Sequence, residues 1–163
     1  MNSKIEILKE EINKIDWLKY ETAYSHTGEK IAIYLMDLFC DEKSTILKST
    51  HMLWCSLCHQ HAFVSSAALP AYDFLLYGLT NLDDYIKIEI LDIFTGFAAC
   101  TRDININESI NVSWVYQLKE KLTNNLEIFR SFISHPNEDI SNFSKMLCIY
   151  LENPKLIHEY LEE

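Results

Sequence analysis

Apolar side chains recur every three to four residues along most of this chain, and short polar segments separate these runs. In Trp54–Leu79, one amphipathic helix ends, a polar turn follows and a second helix begins; the next helix is predicted over Asp83–Cys100. Three glycines and three prolines leave few positions for the tight turns that a β-rich fold needs. The sequence therefore predicts antiparallel helices packed in succession.

Signals for helix ends divide the rest of the chain in the same way. The pair Ser3 and Glu6 forms a capping box that predicts the start of the first helix. The other predicted helices cover Glu29–Phe39, Ser44–His59, Ser66–Leu79, Asp83–Cys100, Trp114–Phe132 with a possible break at Asn124–Asn125, a segment from Pro136 through Leu151, and a short helix from Asn153–Pro154 to Leu161.

One segment could form either a strand or a helix. Tyr85–Phe94 is rich in β-branched residues, so a strand competes with a helix there. Its apolar and polar residues alternate only as far as Ile90, and the longer 3.6-residue period predicts a helix.

Gly78 is predicted to end the helix that precedes this segment. Thr101–Asn111 is the longest polar connection.

The order of the predicted helices indicates a particular all-α architecture. Glu29–Phe39 with Ser44–His59, and Ser66–Leu79 with Asp83–Cys100, form two hairpins of about 35 to 40 residues each, a period typical of HEAT-type solenoids. We therefore expect a HEAT-like stack of antiparallel helical hairpins, an α-α superhelix of about seven to nine helices. A length of 163 residues suits a single domain, predicted over residues 1–163.

Negative charge is concentrated in the middle of the chain. The net charge is −10, and residues 31–110 carry four basic against ten acidic side chains, a net of −6. The flanking segments, 1–30 and 111–163, carry −1 and −3. Such a field repels nucleic acid and anionic membranes and attracts cationic proteins, although it also serves solubility alone. We expect no nucleic-acid or membrane partner.

The N-terminal segment and the cysteines both indicate a reducing, cytoplasmic environment. No apolar run reaches the roughly 18 residues of a membrane span. The N-terminal segment Met1–Lys14 is charged throughout and has no apolar core, which predicts a cytoplasmic protein. In a reducing compartment an odd, scattered set of cysteines is usually made of small buried apolar side chains, so we expect no disulfide. The five are Cys40, Cys55, Cys58, Cys100 and Cys148.

One motif indicates an alternative, chemical function. Cys55-Ser-Leu-Cys58-His59 matches the C-x-x-C-H pattern of haem attachment. Together with His51 or His61, these cysteine and histidine side chains are of the types that bind zinc, and they are spaced so that several lie on one side of a helix. A thioredoxin-type redox role would need the two cysteines at a strand-to-helix junction, which the sequence does not predict here. Nucleophilic catalysis would need Cys58 and His59 to share a proton, but neighbouring residues on a helix point about 100° apart. His59 and His61 are predicted to shape the turn by hydrogen bonding. We therefore expect no enzyme, no catalytic residue, no metal and no cofactor.

A succession of motifs in residues 15–100 resembles one family. These motifs are Ile15–Trp17, the turn Thr22–Gly28, Leu53–Gln60, Ala67–Leu79 and Glu89–Ala98. In this order they resemble small bacterial HEAT-like proteins, many of which are immunity proteins of polymorphic toxin systems, including contact-dependent growth inhibition. The chain departs from that pattern where His61 replaces a glycine and where three residues separate Pro70 from Phe74.

The resemblance implies a function by binding. It implies an immunity protein that neutralises the C-terminal domain of a cognate toxin, a cationic nuclease, in a 1:1 complex that covers the active site. A generic HEAT-like interaction scaffold, and a metal-binding or redox protein centred on Cys55, Cys58 and His59, remain alternatives. The toxin-contacting residues that we predict are Asp37, Asp41, Glu42, Tyr72, Asp73, Asp83, Asp84, Asp92, Asp103 and Glu108.

Overall fold

The computed structural model describes residues 2–24, 28–103 and 113–153. These residues form eight α-helices and contain no strand, which confirms the all-α prediction. The helices are α1 (Asn2–Lys14), α2 (Glu29–Asp37), α3 (Lys43–Cys58), α4 (Ala68–Asn81), α5 (Asp84–Thr101), α6 (Trp114–Asn124), α7 (Leu126–Ser131) and α8 (Glu138–Glu152). Two single 3-10 turns cover Trp17–Lys19 and His59–His61.

The helices stack as hairpins in two layers. Within hairpins, α2 packs on α3, α4 packs on α5, and α7 packs on α8. Between hairpins, α2 contacts α4 and α4 contacts α6, which makes one layer, while α3 contacts α5 and α5 contacts α8, which makes the other. We call these the α2–α4–α6 layer and the α3–α5–α8 layer. This arrangement confirms the predicted stack of helical hairpins.

α5 is the central helix, because it packs against members of both layers. Its Phe94 is fully buried and lies in a cluster of aromatic rings. The ring centroid of Phe94 is 5.1 Å from that of Tyr72, 5.9 Å from that of Phe97 and 5.3 Å from that of Phe129. Each such aromatic pair contributes about 0.5–1.5 kcal/mol beyond the apolar area it buries. The cluster thereby fixes α4 and α7 against α5.

The C-terminal end of α4 differs from the sequence prediction. Gly78 lies inside the helix, which continues to Asn81 and ends where Leu82 becomes extended. A Cβ atom at Gly78 would lie 2.7 Å from the Cδ1 atom of Ile90. The glycine is therefore explained by the close approach of α5, and the prediction that it stops the helix is wrong.

The starts of several helices also differ from the sequence prediction. α1 begins at Asn2, so Ser3 is inside the helix. α3 begins at Lys43, one residue before the predicted start at Ser44, whose hydroxyl donates to Glu42 Oε1 (2.7 Å). α4 begins at Ala68, two residues after the predicted start at Ser66, whose Oγ accepts from the backbone N–H of Glu21 (2.8 Å). The cap of α8 is Asn137, whose side chain accepts from two backbone N–H groups.

Other boundaries match or lie outside the described residues. The predicted break at Asn124–Asn125 is confirmed, because Asn125 separates α6 from α7. Thr101 belongs to α5, and most of the predicted polar connection falls in residues 104–112, outside the described part. The last predicted helix, to Leu161, also falls outside it. Among the helices that the structure describes, none has the length and apolarity to cross a membrane.

Candidate partner-binding surface

The first turns of α3, α5 and α8 lie along one edge of the stack. The Nζ atom of Lys43, in α3, lies 4.7 Å from the ring centroid of Tyr85, in α5. The Nε2 atom of His135, just before α8, lies 3.7 Å from the Oδ1 atom of Asp84, in α5. The three helix N-termini are therefore neighbours, although they are far apart in the sequence.

Exposed carboxylates collect at these N-termini. We call the set the acidic edge; its members are Asp41, Glu42, Asp83, Asp84, Glu138 and Asp139. Acidic side chains at the start of a helix, or just before it, interact favourably with the helix dipole. Three aligned N-termini place these charges on one continuous surface, so their negative potentials add.

Glu42 shows how the fold keeps such a carboxylate ionised. Its two carboxylate oxygens accept hydrogen bonds from the hydroxyls of Ser44 (2.7 Å) and Thr45 (2.6 Å). These hydrogen bonds lower the pKa of Glu42 below its ordinary value. The side chain is therefore negative at neutral pH and is held at the start of α3.

Four of the ten predicted contact residues belong to the acidic edge: Asp41, Glu42, Asp83 and Asp84. Glu138 and Asp139 also belong to the acidic edge but were not among the predicted contact residues. The signal that could have identified them is a pair of acids in the first turn of the helix predicted after Pro136. The separation in sequence concealed that these two residues share an edge with α5.

Other predicted contact residues lie elsewhere. Asp37, at the end of α2, accepts a hydrogen bond from the hydroxyl of Ser49 (2.6 Å) and so ties α2 to α3. Asp73 forms an ion pair with Lys121 on the α2–α4–α6 layer, with 2.7 Å between Asp73 Oδ2 and Lys121 Nζ. Asp103 follows α5 at the end opposite the acidic edge and is 90% exposed. Glu108 lies outside the described residues.

Tyr72 requires a correction, because it is fully buried and leaves no surface for a partner. Its hydroxyl donates to the backbone carbonyl of Lys121 (3.0 Å), and its ring packs against Phe94. The predicted contact role is therefore replaced by a structural one: Tyr72 joins α4 to α6 and to the aromatic cluster.

Replacing Tyr72 with phenylalanine should lower the free energy of unfolding by about 0.5–1.5 kcal/mol. The ring stays in place and the hydrogen bond from its hydroxyl is lost, while the Lys121 carbonyl still accepts from the backbone N–H (3.1 Å) and the side-chain amide (2.8 Å) of Asn125. Urea denaturation of the variant and the wild type measures the difference. An unchanged unfolding midpoint would show that this hydrogen bond contributes nothing to stability.

Beyond the acidic edge, the α3–α5–α8 layer carries a strained turn. His59 and His61 have φ angles of 34° and 62°, in the left-handed region that costs a non-glycine residue about 1–2 kcal/mol. The Nε2 atom of His61 lies 2.7 Å from Asp92 Oδ1 and 2.9 Å from the Asp92 carbonyl oxygen. The prediction that hydrogen bonding shapes this turn is confirmed for His61, which pins the turn to α5.

Glu89 lies one turn before Asp92 on the same helix. Burial, reinforced by the negative charge of Asp92, raises the pKa of Glu89, and His51 partly opposes the rise. The folded chain therefore binds this proton more tightly than the unfolded chain does. Above the folded pKa, the ionised Glu89 side chain is destabilising.

We expect Glu89→Gln to stabilise the protein at neutral pH, because glutamine removes this charge. The gain should shrink as the pH falls through the raised pKa and should be absent below the ordinary value of 4.5, where Glu89 is protonated in both states. Urea unfolding of both proteins between pH 4 and pH 8 measures the difference. A gain of equal size at pH 4 would point to packing instead of charge.

The thiols of the C-x-x-C-H motif are held as neutral groups. Burial raises the pKa of Cys58 far above its ordinary value, and its Sγ donates to the Trp54 carbonyl oxygen (3.3 Å). Burial also raises the pKa of Cys55. The thiolate is the form that binds metal or attacks an electrophile. Among the described residues, no three His, Cys, Asp or Glu side chains are arranged to hold a metal ion.

A groove of about 320 Å³ runs between α8 on one side and α5 with the His59–His61 turn on the other. It is lined by His61, Thr95, Asp139, Asn142, Phe143, Met146 and Tyr150. A second pocket of about 270 Å³, between α2, α3 and the segment before α2, is lined by Thr22, Tyr24, Glu29, Lys30, Ile31, Tyr34, Met52 and Ser56. The groove adjoins the acidic edge through Asp139.

Fold and surface together define the chain as an all-α stack of helical hairpins with an acidic edge and an adjoining groove. No protein-family model, curated protein or solved structure matches it.

Proposed function

We propose that this chain is an immunity protein that binds the C-terminal domain of a cognate toxin in a 1:1 complex and covers its active site. The observation that carries the proposal is the acidic edge, where six exposed carboxylates from three hairpins meet. The partner of complementary charge is a cationic domain, and the class we propose is a nuclease that acts in the cytoplasm.

The proposed mechanism is electrostatic capture followed by occlusion. A nuclease holds the phosphates of RNA or DNA with Lys and Arg side chains. Carboxylates on a rigid edge offer these side chains an alternative partner, and long-range attraction raises the association rate. Once bound, the stack excludes nucleic acid from the cleft, so inhibition requires no chemical step.

The stacked hairpins also support a binding function. Consecutive helices in one layer present a continuous surface of several helices, which is how helical solenoids bind proteins. Burial raises the pKa of the Cys55 and Cys58 thiols, which disfavours the thiolate form that the metal-binding or redox alternative would use. We therefore place the function in the surface of the α3–α5–α8 layer.

Protection of cells tests the proposal. We expect the gene for the toxin domain to lie beside the gene for this chain. That domain is expressed from an inducible promoter, with and without the chain, and growth is measured after induction. We expect the chain to restore the growth of cells that express this toxin domain. It should not restore the growth of control cells that express an unrelated nuclease toxin. Continued growth arrest with the folded chain present would overturn the assignment.

A further inference from the structure

The groove beside α8 has a defined sequence of chemical environments. Its α8 wall is one helical stripe that begins at Asp139, continues through Phe143 and Met146, and ends at Tyr150. At 1.5 Å per residue this stripe is about 16 Å long. The groove is thus apolar along most of its length and negative at the end that meets the acidic edge.

Charge in the groove is uncompensated. No lysine or arginine is among the described residues that line it, and the Asp139 carboxylate forms no ion pair with any part of the chain that the structure describes. On the opposite wall His61 is held against a second carboxylate, that of Asp92. The exposed fraction of Met146 is 42%, which is high for a large apolar side chain.

One natural side chain matches this combination. Arginine has an apolar stem that packs on apolar surface, a planar cation that stacks on aromatic rings, and donors that suit a carboxylate. We propose that the groove receives an arginine side chain of a partner protein, with the stem on Phe143 and Met146 and the guanidinium at Asp139. The proposed function supplies only the source of the arginine, and the groove can be tested without any partner.

The methyl group of Met146 reports on the groove directly. Selective ¹³C labelling of methionine methyl groups gives one NMR signal for each methionine, and Met52, which lines the second pocket, serves as an internal control. The probe is N-acetyl-arginine N-methylamide. The matched compound is N-acetyl-citrulline N-methylamide, which keeps the shape of the side chain and lacks its charge.

We expect the arginine compound to shift the Met146 signal in a saturable way with a Kd on the order of 1 mM, and to leave Met52 in place. Citrulline should bind at least about twofold to fivefold more weakly, because it loses the ion pair with Asp139. Asp139→Asn should weaken arginine binding by the same factor. Glu10→Gln, an exposed acid of α1 outside both the groove and the acidic edge, should leave it unchanged.

Three results would overturn the inference. The Met146 signal could stay in place at saturating probe, or citrulline could bind as tightly as arginine. N-acetyl-phenylalanine N-methylamide could bind more tightly than arginine, which would define an apolar anchor site instead. None of these results depends on a toxin, so failure here is distinguishable from failure of the protection assay.

Discussion

Replacing Gly96 with alanine is expected to destabilise the fold by about 2 kcal/mol. A Cβ atom at this position would lie 2.7 Å from Cys58 Sγ, 2.7 Å from His61 Cδ2 and 3.0 Å from Cys58 Cβ. Cys58 is buried in α3, and His61 is held by Asp92, so neither can withdraw. Overpacking of this kind costs about 1–3 kcal/mol, and the better helix propensity of alanine returns about 1 kcal/mol at most.

The expected loss corresponds to a melting temperature lower by about 4–8 °C, measured by thermal or urea unfolding. Gly78→Ala is the matched control, since Gly78 is also a glycine inside a buried helix. Its new Cβ would meet the tips of two flexible side chains, Ile90 Cδ1 at 2.7 Å and Leu82 Cδ1 at 3.4 Å, which can move. Stability should therefore change by less than about 1 kcal/mol. Equal losses in both variants would show that the contact between α5 and the His59–His61 turn is not special.

Charge reversal at the acidic edge is expected to slow capture of the toxin. Asp41→Lys combined with Asp83→Lys replaces two exposed carboxylates on two neighbouring hairpins. At low ionic strength the association rate constant should fall at least about tenfold, because electrostatic steering contributes about 10- to 1,000-fold to such rates. Near 1 M salt, where the Debye length is about 3 Å, the variant and the wild type should associate at similar rates.

The control for this variant carries the same charge change. Glu10→Lys with Glu11→Lys alters two exposed acids of α1, outside the acidic edge, and shifts the net charge equally. Stopped-flow association of each protein with the toxin domain, across a salt series, compares them. An equal slowing by both doubles would assign the effect to net charge and would remove the acidic edge from the proposal.

Local patterns predicted the helices and their order, because helical periodicity and capping residues lie within a few turns of each other. Long-range packing decided what the sequence did not predict. Gly78 looked like a helix end, whereas its role depends on Ile90 in the next helix. Tyr72 looked like an anchor, whereas its burial depends on α6, about 50 residues away.

The candidate surface was only partly predictable for the same reason. The concentration of acids in residues 31–110 identified four of the six members of the acidic edge. The other acids come from α8, which the stacking of hairpins brings beside α5, and no local signal indicates that neighbour. Asp73 looked equally suitable in the sequence, but it is paired with Lys121 on the other layer.

The stoichiometry of inhibition tests the central claim most directly. The purified toxin domain is mixed with increasing amounts of the chain, and the residual nuclease activity is measured. If the chain acts by occlusion, activity falls linearly and reaches its minimum at one chain per toxin. Toxin that is separated from the unfolded complex and refolded alone then regains its activity. Complete inactivation by a small fraction of an equivalent would mean that the chain acts as a catalyst, and would contradict the proposed function.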